Sequence, residues 1–123
     1  MSSRNKPGPN VGTRVLEEHE RVKVWELVLE PGESSEWHRH EHDYVFVVIE
    51  AAPLRTDYDD GTSQVYPSHV GEVVYTPPST HRVTNVGQTR YRNVIIELKS
   101  APLQVVGGPH HDTQSKTVRR GKR

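Results

Sequence analysis

Cysteine is absent from the chain, so neither a disulfide framework nor a thiolate metal site can form, and any bound metal must rely on nitrogen and oxygen donors. Apolar residues are scarce too. Hydrophobic side chains make up 32% of the 123 residues, with a single phenylalanine and a single methionine, enough for one modest core and not for two. An excess of charge of either sign is also missing, because 16 Lys+Arg balance 16 Asp+Glu. Such a chain has no general electrostatic attraction for nucleic acid or an anionic membrane. No apolar run reaches the length of a bilayer span or of a signal-peptide core. The expectation is a soluble protein, cytoplasmic by default, although a mature secreted form would read the same way.

What is present falls into three parts. Residues 1–14 are polar, with Pro7, Gly8 and Pro9, and read as an N-terminal arm. Residues 107–123, GGPHHDTQSKTVRRGKR, read as a weakly ordered basic tail in which His110 and His111 are mobile and Arg119, Arg120, Lys122 and Arg123 are solubilising. Between them, residues 15–106 form one compact piece broken by turn signals such as Pro31-Gly32, Ala52-Pro53, Asp59-Asp60-Gly61 and Pro77-Pro78. The runs between the turns are rich in Val, Ile, Tyr and Thr: ERVKVWELVLE, DYVFVVIE, LRTDY, SQVY, EVVYT, HRVTN and RYRNVIIELK. Short strands at such spacing predict an all-β sandwich or barrel. No long apolar pattern of helical period competes with that reading.

The segment EWHRHEHDYVFVV (residues 36–48) places histidines at alternate positions. In a regular strand, side chains two apart share a face, so His38, His40, His42 and Tyr44 are expected together. Buried polar rings need partners. They therefore face water, one another or a metal ion. His81, after the Pro-Pro turn, supplies a further imidazole, and three neutral imidazoles suit zinc, copper, iron or nickel while leaving coordination positions open. Trp25 and Trp37 invite comparison with a sugar-binding platform. Trp25 alternates with Leu27 and Leu29, and Trp37 falls opposite the histidines, so packing is the default reading of both. Arg39 and Arg82 flank the histidines and can steer a carboxylate or simply be solvated.

Gly32, five residues, then His38-Arg39-His40 resembles the first half of the cupin motif G(X)5HXH(X)3,4E(X)6G; Gly71, five residues, Pro77, then His81, three residues and Asn85 resembles the second half, G(X)5PXG(X)2H(X)3N. The resemblance extends over most of the middle piece. It implies an all-β, single-domain cupin β-barrel (a double-stranded β-helix of jelly-roll type), a homodimer, and one divalent transition metal held by His38, His40 and His81. Departures are equally visible. Tyr44 stands where the family usually has a glutamate ligand, Ala51 and Ser79 replace glycines, and the second motif is one residue short before His81.

Without the carboxylate, an all-imidazole site leaves the ion's charge uncompensated and favours copper over hard, oxygen-preferring cations. Three-histidine cupins are also known with iron, so copper or iron is favoured, with zinc, nickel or manganese as alternatives. The resulting expectation is a metal-dependent oxidoreductase using O2 or peroxide on a small organic acid or a carbohydrate, oxidative polysaccharide cleavage included. Tyr44 and His42 would handle protons or electrons. Two other readings stay open: a redox-silent isomerase or lyase acting on a small carboxylate, and a non-enzymatic ligand-binding barrel.

Overall fold

Alternation of apolar and polar side chains sets the strands. In the computed structural model, which describes residues 7–99, they are β1 (Arg14–Glu18), β2 (Val22–Leu29), β3 (His38–His40), β4 (Tyr44–Glu50), β5 (Leu54–Tyr58), β6 (Ser63–Tyr66), β7 (Val73–Thr76), β8 (Ser79–Asn85) and β9 (Tyr91–Leu98). The order β1-β2-β9-β4-β7 makes one sheet and β3-β8-β5-β6 the other. All pairings between these strands are antiparallel. The all-β barrel expected from the turn spacing is thus what forms. Among the described residues no helix is long and apolar enough to cross a membrane. The tail at 107–123, with His110, His111 and the basic cluster, lies outside the described residues, as does the stretch 100–106 at the end of the middle piece.

The two sheets face each other across a core that includes Trp25, Leu27 and Leu29 from β2, Val48 from β4, Leu54 from β5, Val83 from β8 and Ile95 from β9. Inward and outward residues alternate without interruption along β9, where Tyr91, Asn93, Ile95 and Glu97 are buried. Two of these four are polar. Their inward position is the first sign that the barrel interior is more than packing.

The motif residues that are not histidines serve the backbone. Gly32 and Gly71 both adopt φ 86°, a left-handed conformation that side-chain-bearing residues rarely enter. Each turns the chain ahead of a motif half. Asn85 ends β8 fully buried: its Nδ2 donates to the Leu29 and Thr89 carbonyls at 2.9 and 2.8 Å, and its Oδ1 accepts from the Gly87 N–H at 2.8 Å. The Gly32 N–H donates in turn to the Asn85 carbonyl at 2.9 Å. Gly32 and Asn85 are therefore one junction, although they belong to different motif halves.

The described part of the N-terminal segment, read from sequence as a polar arm, lies along the barrel. Gly8 pairs in parallel with His38 along the free edge of β3, and its N–H donates to the Trp37 carbonyl at 2.9 Å. Val11 is 1% exposed within the core. One apolar anchor in a polar stretch, together with an unpaired strand edge, was enough to recruit it. Val11→Ala removes the equivalent of two buried methylenes and should lower unfolding free energy by about 1.5 kcal/mol. Urea denaturation measures this, and an unchanged midpoint would show that the segment detaches in solution.

Candidate metal centre

Register brings the histidines together. In the β3–β8 pair, His38 lies directly opposite His81, and His40 opposite Ser79. His38 and His40 are two apart on β3 and so point to the same side. Their rings, with that of His81, form an edge-on triangle with centroid separations of 4.9, 4.7 and 5.1 Å. The three are 1%, 2% and 9% exposed, respectively. One nitrogen from each lies within 4.8 Å of the others, a spread that a small inward rotation of the rings closes onto one ion bonded at roughly 2 Å.

The outer face of each ring is already engaged. His38 Nδ1 is 2.7 Å from the Glu36 carbonyl oxygen; a carbonyl only accepts, so Nδ1 carries the proton and Nε2 the lone pair. His81 Nδ1 hydrogen-bonds Ser79 Oγ at 3.2 Å. His40 Nδ1 faces Glu97 Oε2 at 3.6 Å, an electrostatic approach slightly too long for a formed hydrogen bond. His38 Nε2 is left free to bind a metal, and the Nδ1 atoms of all three rings lie beside protein oxygens. Metal-ligating histidines commonly have the remote N–H held by a carbonyl, hydroxyl or carboxylate; His38 and His81 have such a bond, whereas His40 Nδ1 is buried without one and has Glu97 as its nearest charged group.

Burial governs the protonation of this cluster. It drives His38 down to about 4, with repulsion from His40 adding to the effect and the Glu36 carbonyl opposing it. Burial likewise lowers His40, against the pull of Glu97, and takes His81 well below the ordinary imidazole value, helped by His38 and His40. All three are neutral at neutral pH, the form that binds metal. Burial raises the phenol of Tyr44 to about 12, offset in part by the Ser79 and Thr76 hydroxyls beside it. Tyr44 thus keeps its proton across the physiological range.

Of the residues expected on one strand face, the structure brings together His38, His40 and Tyr44 and leaves out His42. The strand is not continuous: β3 ends at His40, the chain bends through residues 41–43, and β4 begins at Tyr44 in the opposite sheet. Tyr44 returns to the cluster and stacks on His40, with centroids 3.7 Å apart and planes 14° from parallel. His42 sits on the bend and lines an outer cleft with Arg39 and Lys99. The flanking arginines are occupied, Arg39 Nη1 donating to Thr80 Oγ1 at 2.8 Å and Arg82 Nη2 to Asp57 Oδ2 at 3.2 Å.

Glu97 was not singled out from the sequence. It lies opposite Tyr44 in the β4–β9 register, and Trp25 Nε1 donates to its Oε1 at 2.9 Å. Burial would raise its pKa, but contacts with His40 and Trp25 more than offset this and hold the carboxyl below its usual value. The carboxylate missing at position 44 is therefore present behind His40, on another strand. The second departure is related: Ser79, in place of the motif glycine, touches both His81 and the Tyr44 phenol.

The model of a cupin domain family, Cupin_2, matches residues 25–96. The crystal structure of a cupin domain from Bordetella pertussis is similar over 77% of this chain and 98% of its own, at 34% identity and a TM-score of 0.67. A Cupin 2 conserved barrel domain protein from Salinispora arenicola shares 25% identity over 71% of this chain and 74% of its own, with a TM-score of 0.53. A double-stranded β-helix protein from Klebsiella pneumoniae, 20% identical over 80% of this chain and 87% of its own, has the same fold at a TM-score of 0.58. No curated protein matches the chain.

Proposed function

Because the chain belongs to the Cupin_2 family of cupin domains, we propose that it is a mononuclear metal-dependent oxidoreductase in which His38, His40 and His81 hold one copper or iron ion and a small organic acid is the substrate. The observation that carries this reading is the set of three buried, neutral imidazoles whose Nδ1 atoms are turned to protein partners. The donor set fits the group: nitrogen without carboxylate or thiolate favours late first-row metals, copper(II) above the others. When bound, such an ion supplies a redox couple and a Lewis-acidic position for oxygen donors.

The chain's own residues account for the rest. Glu97 sets His40's orientation and places a negative charge behind it. Tyr44, protonated and stacked on His40, offers a proton at its Oη to an oxygen of the substrate. His42, on the outer bend, has no part in this scheme. Burial of all three histidines supports a small molecule over a polysaccharide, because a polymer cannot follow them into the barrel. A homodimer belongs to the same reading, supported by Ile49, Val73 and Tyr75 remaining exposed on β4 and β7.

Elemental analysis and electron paramagnetic resonance on protein purified without a metal-affinity column, followed by oxygen-uptake assays, test the proposal. The expected result is close to one copper or iron per chain, with oxygen consumed in the presence of an organic acid and reductant. Zinc, nickel or manganese with anaerobic turnover would replace it with an isomerase or lyase. Protein that takes up no metal would leave a ligand-binding barrel.

A further inference from the structure

Two corners of the histidine triangle, His40 and His81, line a cavity of about 50 Å³ inside the barrel, together with Tyr44 and Asn93. Its walls are otherwise mainly apolar, with Leu27 and Ile95 among them. The space holds about four water-sized groups, so only the part of a short acid beyond a carboxylate bound at the histidines has to fit within it.

Asn93 is out of place in such a wall. It sits in the middle of β9, 4% exposed, and its cross-strand neighbours are Leu27 on β2 and Val48 on β4. Neither can satisfy an amide. Nδ2 donates to Tyr91 Oη at 2.7 Å, which pins the side chain, while Oδ1 is buried without a hydrogen-bond partner. Leaving a buried acceptor unsatisfied is destabilising, and native structures seldom do so without a reason. A residue serving only the core would be apolar here, like Leu27 and Val48.

We propose that Asn93 is the specificity determinant of the cavity: its Oδ1 accepts a hydrogen bond from a hydroxyl or N–H of a short carboxylic acid whose oxygen anion lies toward the histidines. This rests on the metal reading above, since the histidines are neutral and only a bound cation would attract the carboxylate. The cavity then presents a bound cation and an amide acceptor within walls whose exposed surface is mainly apolar, although Thr56, Tyr66, Ser68 and Tyr91 also line it. That pattern selects a short-chain hydroxy or amino acid over the plain fatty acid of the same length.

The matched pair 3-hydroxypropionate and propionate tests this by calorimetry on zinc-loaded protein, with metal content measured separately. Wild-type protein should bind the hydroxylated acid about fivefold more tightly, the equivalent of one net neutral hydrogen bond. Asn93→Leu, similar in volume and without the acceptor, should abolish that preference while propionate affinity and metal content stay unchanged. The wild-type comparison requires no variant, and Asn93→Ala replaces the leucine variant if that one does not fold. Equal affinities in wild type, no binding of either acid, or a preference that survives in both variants and so arises from chelation, would overturn the inference while leaving the metal site standing. Failure of the wild-type protein to load zinc, copper or iron would instead overturn the metal reading on which the inference depends.

Discussion

Metal-free protein should lose stability steeply as the pH falls from about 6.5 toward 4. His38 titrates at about 4 in the folded state against 6.5 for an unperturbed imidazole, so over this interval the unfolded chain binds a proton that the folded chain refuses. Unfolding is then favoured as pH drops. The stability associated with keeping His38 neutral is fully present above about 6.5 and gone below about 4. Two and a half units correspond to about 3 kcal/mol, or roughly 12 °C in melting temperature for a domain of this size. His40 and His81 shift in the same direction and steepen the fall. Thermal melts in chelator between pH 7.5 and 4.5 measure it. A melting temperature flat between pH 7 and 5 would mean that the histidines are hydrated rather than buried.

Glu97→Gln should weaken metal binding by about 10- to 100-fold, the usual effect of removing the partner of a ligating histidine. The variant keeps the shape of the side chain, and its amide oxygen can still accept from Trp25 Nε1. What it removes is the negative charge behind His40, in a site whose three ligands are all neutral. His81→Ala sets the limiting case and should retain no stoichiometric metal. Competition against a chromophoric chelator compares the three proteins at one pH, and Glu50→Gln, on the surface, serves as a control. If Glu97→Gln binds as tightly as wild type, the carboxylate is a structural partner of Trp25 and nothing more.

Much of this was legible beforehand for identifiable reasons. Period-two alternation in VKVWELVL and YRNVIIEL is strong enough to locate β2 and β9, and the resemblance to the two halves of the cupin motif singles out His38, His40 and His81. The break after His40 was not legible, because alternation of histidines continues through His42 as though the strand did. Only tertiary pairing, β3 with β8 and β4 with β9, forces the bend at residues 41–43. β1 escaped notice because all five of its residues are exposed, leaving no apolar face to read. Glu97 lies beyond the second motif, and its signal was subtler: an acidic residue in phase with Tyr91, Asn93 and Ile95. An acid on the inward phase of a hydrophobic strand was the available warning.

The pairing of Tyr44 with Glu97 across β4 and β9 bears on how such a site can change over generations. Residues directly opposite in antiparallel strands repel when both are acidic, and in a dry interior that repulsion is larger. A lineage carrying glutamate at both positions would pass through an unfavourable intermediate unless one carboxyl stayed protonated. Glutamate introduced at position 44 of this chain would therefore face Glu97, and its cost would fall if position 97 were made neutral at the same time.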